Sequence, residues 1–200
     1  MTDLEKRIWN EGERLIPGVS HNGAESKRHF ASYNFFRDRI YETEVGTINI
    51  LDLGCGVGFG CKLLSVVPDS NILGIDISDD SLRYARKYYS AKNIEYRIAD
   101  LNSFILNMPL YDYVVSRGVF EHIENVWDLI NKIKFKKMLI FDMPYNEERG
   151  NNPHHKVLEI VEKDFENLLS SYELFYEDIE GKITKRKPEK PNMIMCLCRK

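Results

Sequence analysis

Residues 50–60 read ILDLGCGVGFG, a β-rich apolar run that breaks into glycines at 54, 56, 58 and 60. Glycine inside regular structure costs roughly 0.5–1 kcal/mol against alanine. A cluster this dense therefore implies a turn that demands positive φ, or a ligand laid against bare main chain. A strand, a glycine-rich turn and a helix start form the place where α/β sheets bind ligands, at the carboxyl ends of their strands. Two familiar fingerprints fail. The dinucleotide pattern G-x-G-x-x-G meets Phe59 third after Gly56 in one frame and Cys61 in the other, and no Gly-Lys-Ser/Thr follows to make a phosphate loop.

The chain after residue 46 alternates short apolar runs with helical stretches. TINILDLG, NILGIDI, IEYRIAD, YDYVVSRG and KKMLIFDMP read as strands. Between them, FGCKLLSVV stops at Pro68, and SDDSLRYARKYYSAK carries Ser78 as N-cap with Asp79 and Asp80 in its first turn. ENVWDLINKIK spaces Val126, Leu129, Ile130 and Ile133 at helical intervals. Strands alternating with helices predict parallel pairing through right-handed crossovers. Near the C-terminus, EKDFENLLSSY reads as a short helix, and ELFYEDIEG and NMIMCLCRK as two strands without an intervening helix, an antiparallel hairpin at the sheet edge. The expectation is a single α/β domain over 1–200, with a helical extension over 1–45, broken at Pro17 and Gly18, and a Rossmann-like core over 46–200.

Composition excludes several classes. A net charge of −3 gives no global pull toward nucleic acid or anionic membrane, and no apolar run is long enough for a membrane span. The charged start MTDLEKRIWNEGERL is not a secretory signal. Cys55, Cys61, Cys196 and Cys198 show neither zinc spacing nor a disulfide framework, so a reduced, cytoplasmic protein is expected, with Cys196 and Cys198 as small buried strand residues. The basic stretch GKITKRKPEK, with Lys182, Lys185, Arg186, Lys187 and Lys190, reads as a solvated loop, because no recognition module or overall basicity accompanies it.

The run G-x-G-x-G preceded by Asp52 resembles the first motif of class I S-adenosylmethionine-dependent methyltransferases. Three further segments match that family in order: Gly74-Ile75-Asp76-Ile77-Ser78, IEYRIADL and YDYVVSRGVFEHI. The resemblance implies a seven-stranded, mostly parallel sheet in the order 3-2-1-4-5-7-6, with helices on both faces, and S-adenosyl-L-methionine as cofactor. It places the ribose hydroxyls on Asp76, with Ile77 beside it. The adenine amino group falls near Asp100 and Leu101, and the methionine end near Gly54 and the backbone of Ser116, Arg117 and Gly118. Asp52, Cys55, Gly56 and Gly58 complete the implied cofactor set, and the glycines are expected to bring the backbone close to the ligand. Arg117 stands where an apolar or aromatic residue is usual; a cofactor-carboxylate contact and a structural role both remain open.

Methyl transfer asks the protein to align nucleophile and methyl, exclude water and, for a hydroxyl, remove a proton. Glu121 and His122 follow the fourth strand, and His154 and His155 lie in the long polar loop PYNEERGNNPHHKVLEI after the fifth, the substrate end of such a sheet. GERLIPGVS, NPHHKVLEI and DFENLL are together similar to small bacterial methyltransferases associated with surface-polysaccharide and glycan biosynthesis. In that group the loop reads asparagine, proline, an aromatic, then histidine. Asn152, Pro153 and His155 match, and His154 replaces the aromatic. His155 is thus the first candidate for a base or acceptor-positioning group, with His122 and Glu121 behind it. Glu25 and His29, in AESKRHFASY, have no settled register, and no role is transferred to them. No metal is expected, since the His pair has no third ligand at a readable spacing.

The acceptor implied is a small molecule, with a sugar or nucleotide sugar leading. Ser116-Arg117-Gly118 replaces the Asn/Asp-Pro-Pro-aromatic signature of base and RNA amino methyltransferases, so nucleic acid is not the expected partner. Other small molecules, RNA or protein stay as alternative acceptors. From another class, so does a non-catalytic cofactor- or partner-binding module. The identity of the acceptor, O- against N-methylation and oligomeric state are not legible.

Overall fold

The computed structural model describes residues 1–11, 14–19, 23–41 and 46–200. Gly12, Glu13 and Ser20 of the GERLIPGVS segment lie outside the described residues. Five strands pair in parallel: β1 (Ile48–Leu53), β2 (Ser70–Asp76), β3 (Ile94–Ile98), β4 (Tyr111–Arg117) and β5 (Phe135–Pro144). Three more complete an eight-stranded sheet: β6 (Ser171–Asp178), β7 (Ile183–Thr184) and β8 (Pro191–Arg199), in the order β3-β2-β1-β4-β5-β8-β6-β7. β8 runs antiparallel between β5 and β6. The expected order therefore holds, and among the described residues the count is eight rather than seven. The extra strand is the two-residue β7, whose Ile183 and Thr184 pair with the tip of β6.

Strand alternation builds two cores. On β1, Ile48 and Ile50 face one side and Leu51 and Leu53 the other. The first side is covered by α1 (Asp3–Asn10), α2 (Gly23–Tyr41), α3 (Phe59–Leu64) and α4 (Asp79–Tyr88). The second is covered by α5 (Leu101–Asn107), α6 (Val126–Ile130) and a 3-10 turn over Glu162–Asn167. The helix expected at EKDFENLLSSY is thus only this 3-10 segment, and α6 is a short piece of its helical pattern. Phe165 buries against the sheet from the first, and Val126, Leu129, Ile130 and Ile133, the positions at helical spacing, are all buried along the second. Caps follow the sequence: Thr2 and Glu5 form a capping box on α1, Ser78 Oγ accepts from Ser81 N on α4, and Asp100 accepts from Ser103 N on α5.

The four cysteines are buried and free, and Cys196 and Cys198 occupy one face of β8. The basic loop is exposed as expected, with Lys185 on Glu173 at 2.7 Å and Lys187 on Glu162 at 2.9 Å. Among the described residues, no helix is long and apolar enough to cross a membrane.

Candidate active site

Parallel pairing brings the carboxyl ends of β1, β2 and β4 to one rim, with Asp52 level with Gly74 and Val115. Gly54 N and Cys55 N both donate to Ile75 O at 2.9 Å, so the glycine turn is tied to β2 as it leaves β1. Each glycine has a different reason. A Cβ on Gly60 would lie 2.0 Å from Tyr33 Cζ, on Gly58 2.6 Å from Ala85 Cβ, and on Gly54 2.4 Å from a Val119 methyl. Those three answer to packing within the protein. Gly56 alone of the four combines a positive φ of 52° with open space where a Cβ would point. Gly56 is the position where bare main chain stands open, and Gly54, though packed under Val119, also lines the cleft described next.

That stretch floors a cleft of about 390 Å³. Of the implied cofactor residues, Gly54, Cys55, Gly56, Asp76, Ile77, Asp100, Leu101, Arg117 and Gly118 line it. Asp76 accepts from Gly56 N and Ser78 N, each at 2.9 Å, and Arg14 Nη2 stands 3.4 Å from its Oδ1. Ile77 is 64% exposed here, an apolar side chain left open beside an acid. Asp100 spends one oxygen on the α5 cap, and that backbone bond holds its carboxyl below the usual range.

Three expected residues lie elsewhere. Asp52 is fully buried behind the turn, where it accepts from Tyr33 Oη at 3.1 Å and from Cys61 Sγ at 3.2 Å. Burial pushes its carboxyl up to about 7, against the pull of those two donors. Gly58 sits under the turn against Tyr96, and Ser116 Oγ is used on Leu53 O at 3.0 Å. Arg117 resolves toward structure: its guanidinium is buried, with Nε 3.1 Å from Asp142 and Nη2 3.4 Å from Glu177. Asp142 also accepts from Gly118 N at 2.9 Å, so this ion cluster fixes the end of β4.

A second cleft, of about 650 Å³, adjoins the first and shares Leu15, His29, Arg117, Gly118 and His122 with it. Its lining is polar: Asn146, Asn151, Asn152 and Asn192 join Glu25 and Glu147. Glu121, His122 and His155 all open on it, and one ligand-type atom from each lies within 4.8 Å of the others. The three candidates for acceptor chemistry are therefore brought together. His122 Nδ1 faces His154 O at 3.1 Å, and His155 Nδ1 makes a very short contact with Glu147, while its Nε2 is 3.1 Å from the Asn152 amide. The two rings meet edge to face at 4.9 Å. Burial pushes the Glu121 carboxyl up to about 8, despite the nearby His155 and Arg117. Across the cleft the hydrogen bond from His29 holds Glu25 down at about 2.

Several site residues escape sequence reasoning. Glu147 orients His155 from within MPYNEE, eight positions upstream in a loop with no periodicity. Arg14 reaches Asp76 across 62 positions, and Asn192 arrives from the last strand. Glu25 and His29 were visible as an i, i+4 pair, but only packing of α2 shows that they face the second cleft.

Residues 51–135 match the family model described as a methyltransferase domain. A malonyl-[acyl-carrier protein] O-methyltransferase of Acetivibrio thermocellus is 36% identical over 87 residues, 43% of this chain and 30% of that protein. The Bacillus anthracis protein of the same name is 26% identical over 70% of this chain and 53% of its own length. The chain thus spans about a third to a half of these curated relatives. Among solved structures, the N-terminal domain of EvdMO1, in the presence of SAH and D-fucose, aligns over 100% of this chain and 97% of that one, with a TM-score of 0.65 and 18% identity. The plantazolicin methyltransferase BpumL in complex with SAH gives a TM-score of 0.66 at 16% identity, over 98% of this chain and 88% of that one. Residues 51–135 are thus similar to a methyltransferase domain, and the fold of the chain is that of the class I S-adenosylmethionine-dependent methyltransferases.

Proposed function

We propose that this protein is an S-adenosylmethionine-dependent methyltransferase acting on an oxygen or nitrogen of a small, hydroxyl-rich acceptor, with a sugar or sugar nucleotide as the leading class. The observation that carries this reading is the pair of adjoining clefts, which share a wall at Arg117, Gly118 and His122. One is built for a nucleoside with an amino-acid tail and the other for a polar molecule beside it.

The first cleft fits the cofactor on its own terms. Gly56 offers main chain without a side chain, Asp76 offers a carboxylate held in place by two backbone donors, and Ile77 offers an apolar surface to a purine. Gly54 to Gly56 and Gly118 would hold the methionine end, Asp76 the ribose, and Asp100 with Leu101 the adenine. When bound, S-adenosylmethionine supplies a methyl group on a sulfonium, with a neutral thioether as leaving group. The chain's own part is to hold the nucleophile in line and keep water out.

The second cleft supports the acceptor class. Four asparagines and three carboxylates suit a molecule that presents many hydroxyls, since each amide offers both donor and acceptor. Such a lining is poor for an acyl chain, and Tyr145 is its one large aromatic among the described residues, too little to stack successive bases. The matched family segment ends at residue 135, before the 144–155 loop that walls this cleft, so that match does not bear on the loop. Glu121, His122 and His155, which open on this cleft close to one another, are our candidates to handle the reacting oxygen or nitrogen.

The test is calorimetric titration with S-adenosylmethionine and S-adenosylhomocysteine, followed by a homocysteine-release screen over nucleotide sugars, free sugars and carboxylic acids. Micromolar cofactor binding with turnover on a hydroxylated acceptor is expected. Absence of cofactor binding would leave a partner-binding module. Turnover confined to carboxylic acids would remove the sugar assignment.

A further inference from the structure

At the seam between the two clefts, three side chains with metal-binding donors converge. Glu121 is only 3% exposed, and among the described residues its Oε2 has no hydrogen-bond partner. A buried carboxylate oxygen left this way carries an uncompensated desolvation cost, and it lies in a wall that opens on the acceptor cleft. Its neighbours His122 and His155 each have Nδ1 against an acceptor, the His154 carbonyl in one case and the Glu147 carboxylate in the other. Nδ1 therefore carries the proton in both rings, and Nε2 carries the lone pair. Histidines that bind metals are commonly oriented in this manner, by a carboxylate or carbonyl on the far nitrogen.

We propose that Glu121, His122 and His155 form a binding site for one divalent transition-metal ion, through a Glu121 oxygen and one ring nitrogen of each histidine, Nε2 being the nitrogen with the lone pair. Bonds of about 2.1 Å allow donor atoms up to roughly 4 Å apart around one ion. The observed limit of 4.8 Å thus needs a contraction of less than about 1 Å, within reach of rotation about the side-chain bonds of two partly exposed histidines. The Nε2 bond from the Asn152 amide is released in exchange. Two imidazoles with one carboxylate favour Mn²⁺, Fe²⁺, Co²⁺ or Zn²⁺ over Mg²⁺ or Ca²⁺, which prefer all-oxygen sets. Three protein ligands leave positions open toward the cleft, where an acceptor's hydroxyl oxygens can coordinate.

The use of that ion rests on the methyltransferase reading; its binding does not. A hydroxyl bound to a divalent cation gives up its proton to water at lower pH than a free one, so the ion would supply an alkoxide-like oxygen beside the cofactor cleft. The same Glu121 carboxylate, disfavoured by burial in the metal-free chain, becomes favourable next to a cation.

The experiment is titration of the purified chain with Mn²⁺ alone, followed by the paramagnetic resonance signal of the free ion, and with Co²⁺ alone, followed by its visible absorption. One ion per chain is expected. Glu121→Gln and His155→Ala should each weaken binding at least tenfold, and Glu147→Gln, which removes only the ring's support, by about tenfold to a hundredfold. S-adenosylhomocysteine affinity, read by calorimetry, should stay within twofold in His155→Ala, since His155 lies outside the cofactor cleft; this confirms that the variant is folded. A wild-type chain that binds S-adenosylhomocysteine yet leaves Mn²⁺ and Co²⁺ free at millimolar concentration overturns the site, as does binding that Glu121→Gln and His155→Ala leave unchanged. Metal binding that persists without any cofactor binding supports the site and removes the methyltransferase reading instead.

Discussion

Asp52 gives the sharpest test of the reasoning about the turn. Its carboxyl is fully buried, receives the Tyr33 hydroxyl and the Cys61 thiol, and is pushed up to about 7 chiefly by burial. In the unfolded chain an aspartate titrates near 3.9. Between those two values the folded state holds a proton that the unfolded state has lost, so stability falls as pH rises from about 4 to about 7 and levels off above. Worked through the linkage relation, this one group removes about 2.5 kcal/mol of stability between pH 5 and pH 8. Asp52→Asn keeps the shape and an acceptor for Tyr33 while abolishing the titration. The assay is urea unfolding of both proteins at the two pH values. The variant should gain about 2.5 kcal/mol on the wild type over that interval, whatever its offset at pH 5. Glu121, Asp142 and Glu177 are also raised by burial, but they are common to both proteins and cancel in the comparison. A gap that changes by less than about 0.5 kcal/mol would refute the picture of a buried, protonated Asp52.

Gly60→Ala should destabilise by about 1–3 kcal/mol or more, because the new methyl would overlap the Tyr33 ring; Gly56→Ala, open on the cleft side, should cost only about 1 kcal/mol for its positive φ, and thermal unfolding of the two variants reads the difference. Asp76→Ala removes the acceptor for Gly56 N and Ser78 N and should abolish S-adenosylhomocysteine binding by calorimetry; affinity equal to wild type would withdraw the ribose assignment. Arg117→Leu leaves Asp142 and Glu177 buried without their cation and should cost about 3–5 kcal/mol in urea unfolding, whereas an arginine serving only the cofactor would leave stability unchanged and weaken cofactor binding alone.

Much of the sheet was readable because its signals are local. Ser78 caps α4, and the β1 run alternates between two cores, so element type follows from neighbouring residues. The strand β7 was not readable, since two residues carry no periodicity and pair only because the tip of β6 passes beside them. EKDFENLL reads as a short helix, but its Phe165 and Leu168 lie three apart, a spacing that a 3-10 turn satisfies equally well. At the site, acids at strand ends were found by their positions, yet position could not separate Asp76, which lines the cleft, from Asp52, which turns its back on it. That distinction depends on strand face and on Tyr33, a residue of α2 that reaches Asp52 across the gap left by Gly60. The contacts of Glu147 with His155 and of Arg14 with Asp76 are tertiary, and no spacing rule announces them.

The second cleft shares the rim over residues 117–122 with the first but draws most of its other walls from around Glu25 and His29, residues 144–155 and residues 191–193, while the glycine turn and Asp76 belong to the first half of the sheet. On the function proposed above, most of the wall that would choose the acceptor is therefore written apart from the residues that would hold the cofactor, the two meeting at Arg117, Gly118 and His122. A lineage can rewrite either end and the loop between, and so acquire a new acceptor, without disturbing the apparatus that presents the methyl group. The same division tells an engineer where to cut: exchange of those three stretches between homologues is the economical route to altered selectivity, and the matched segment ending at residue 135 marks what should be left intact.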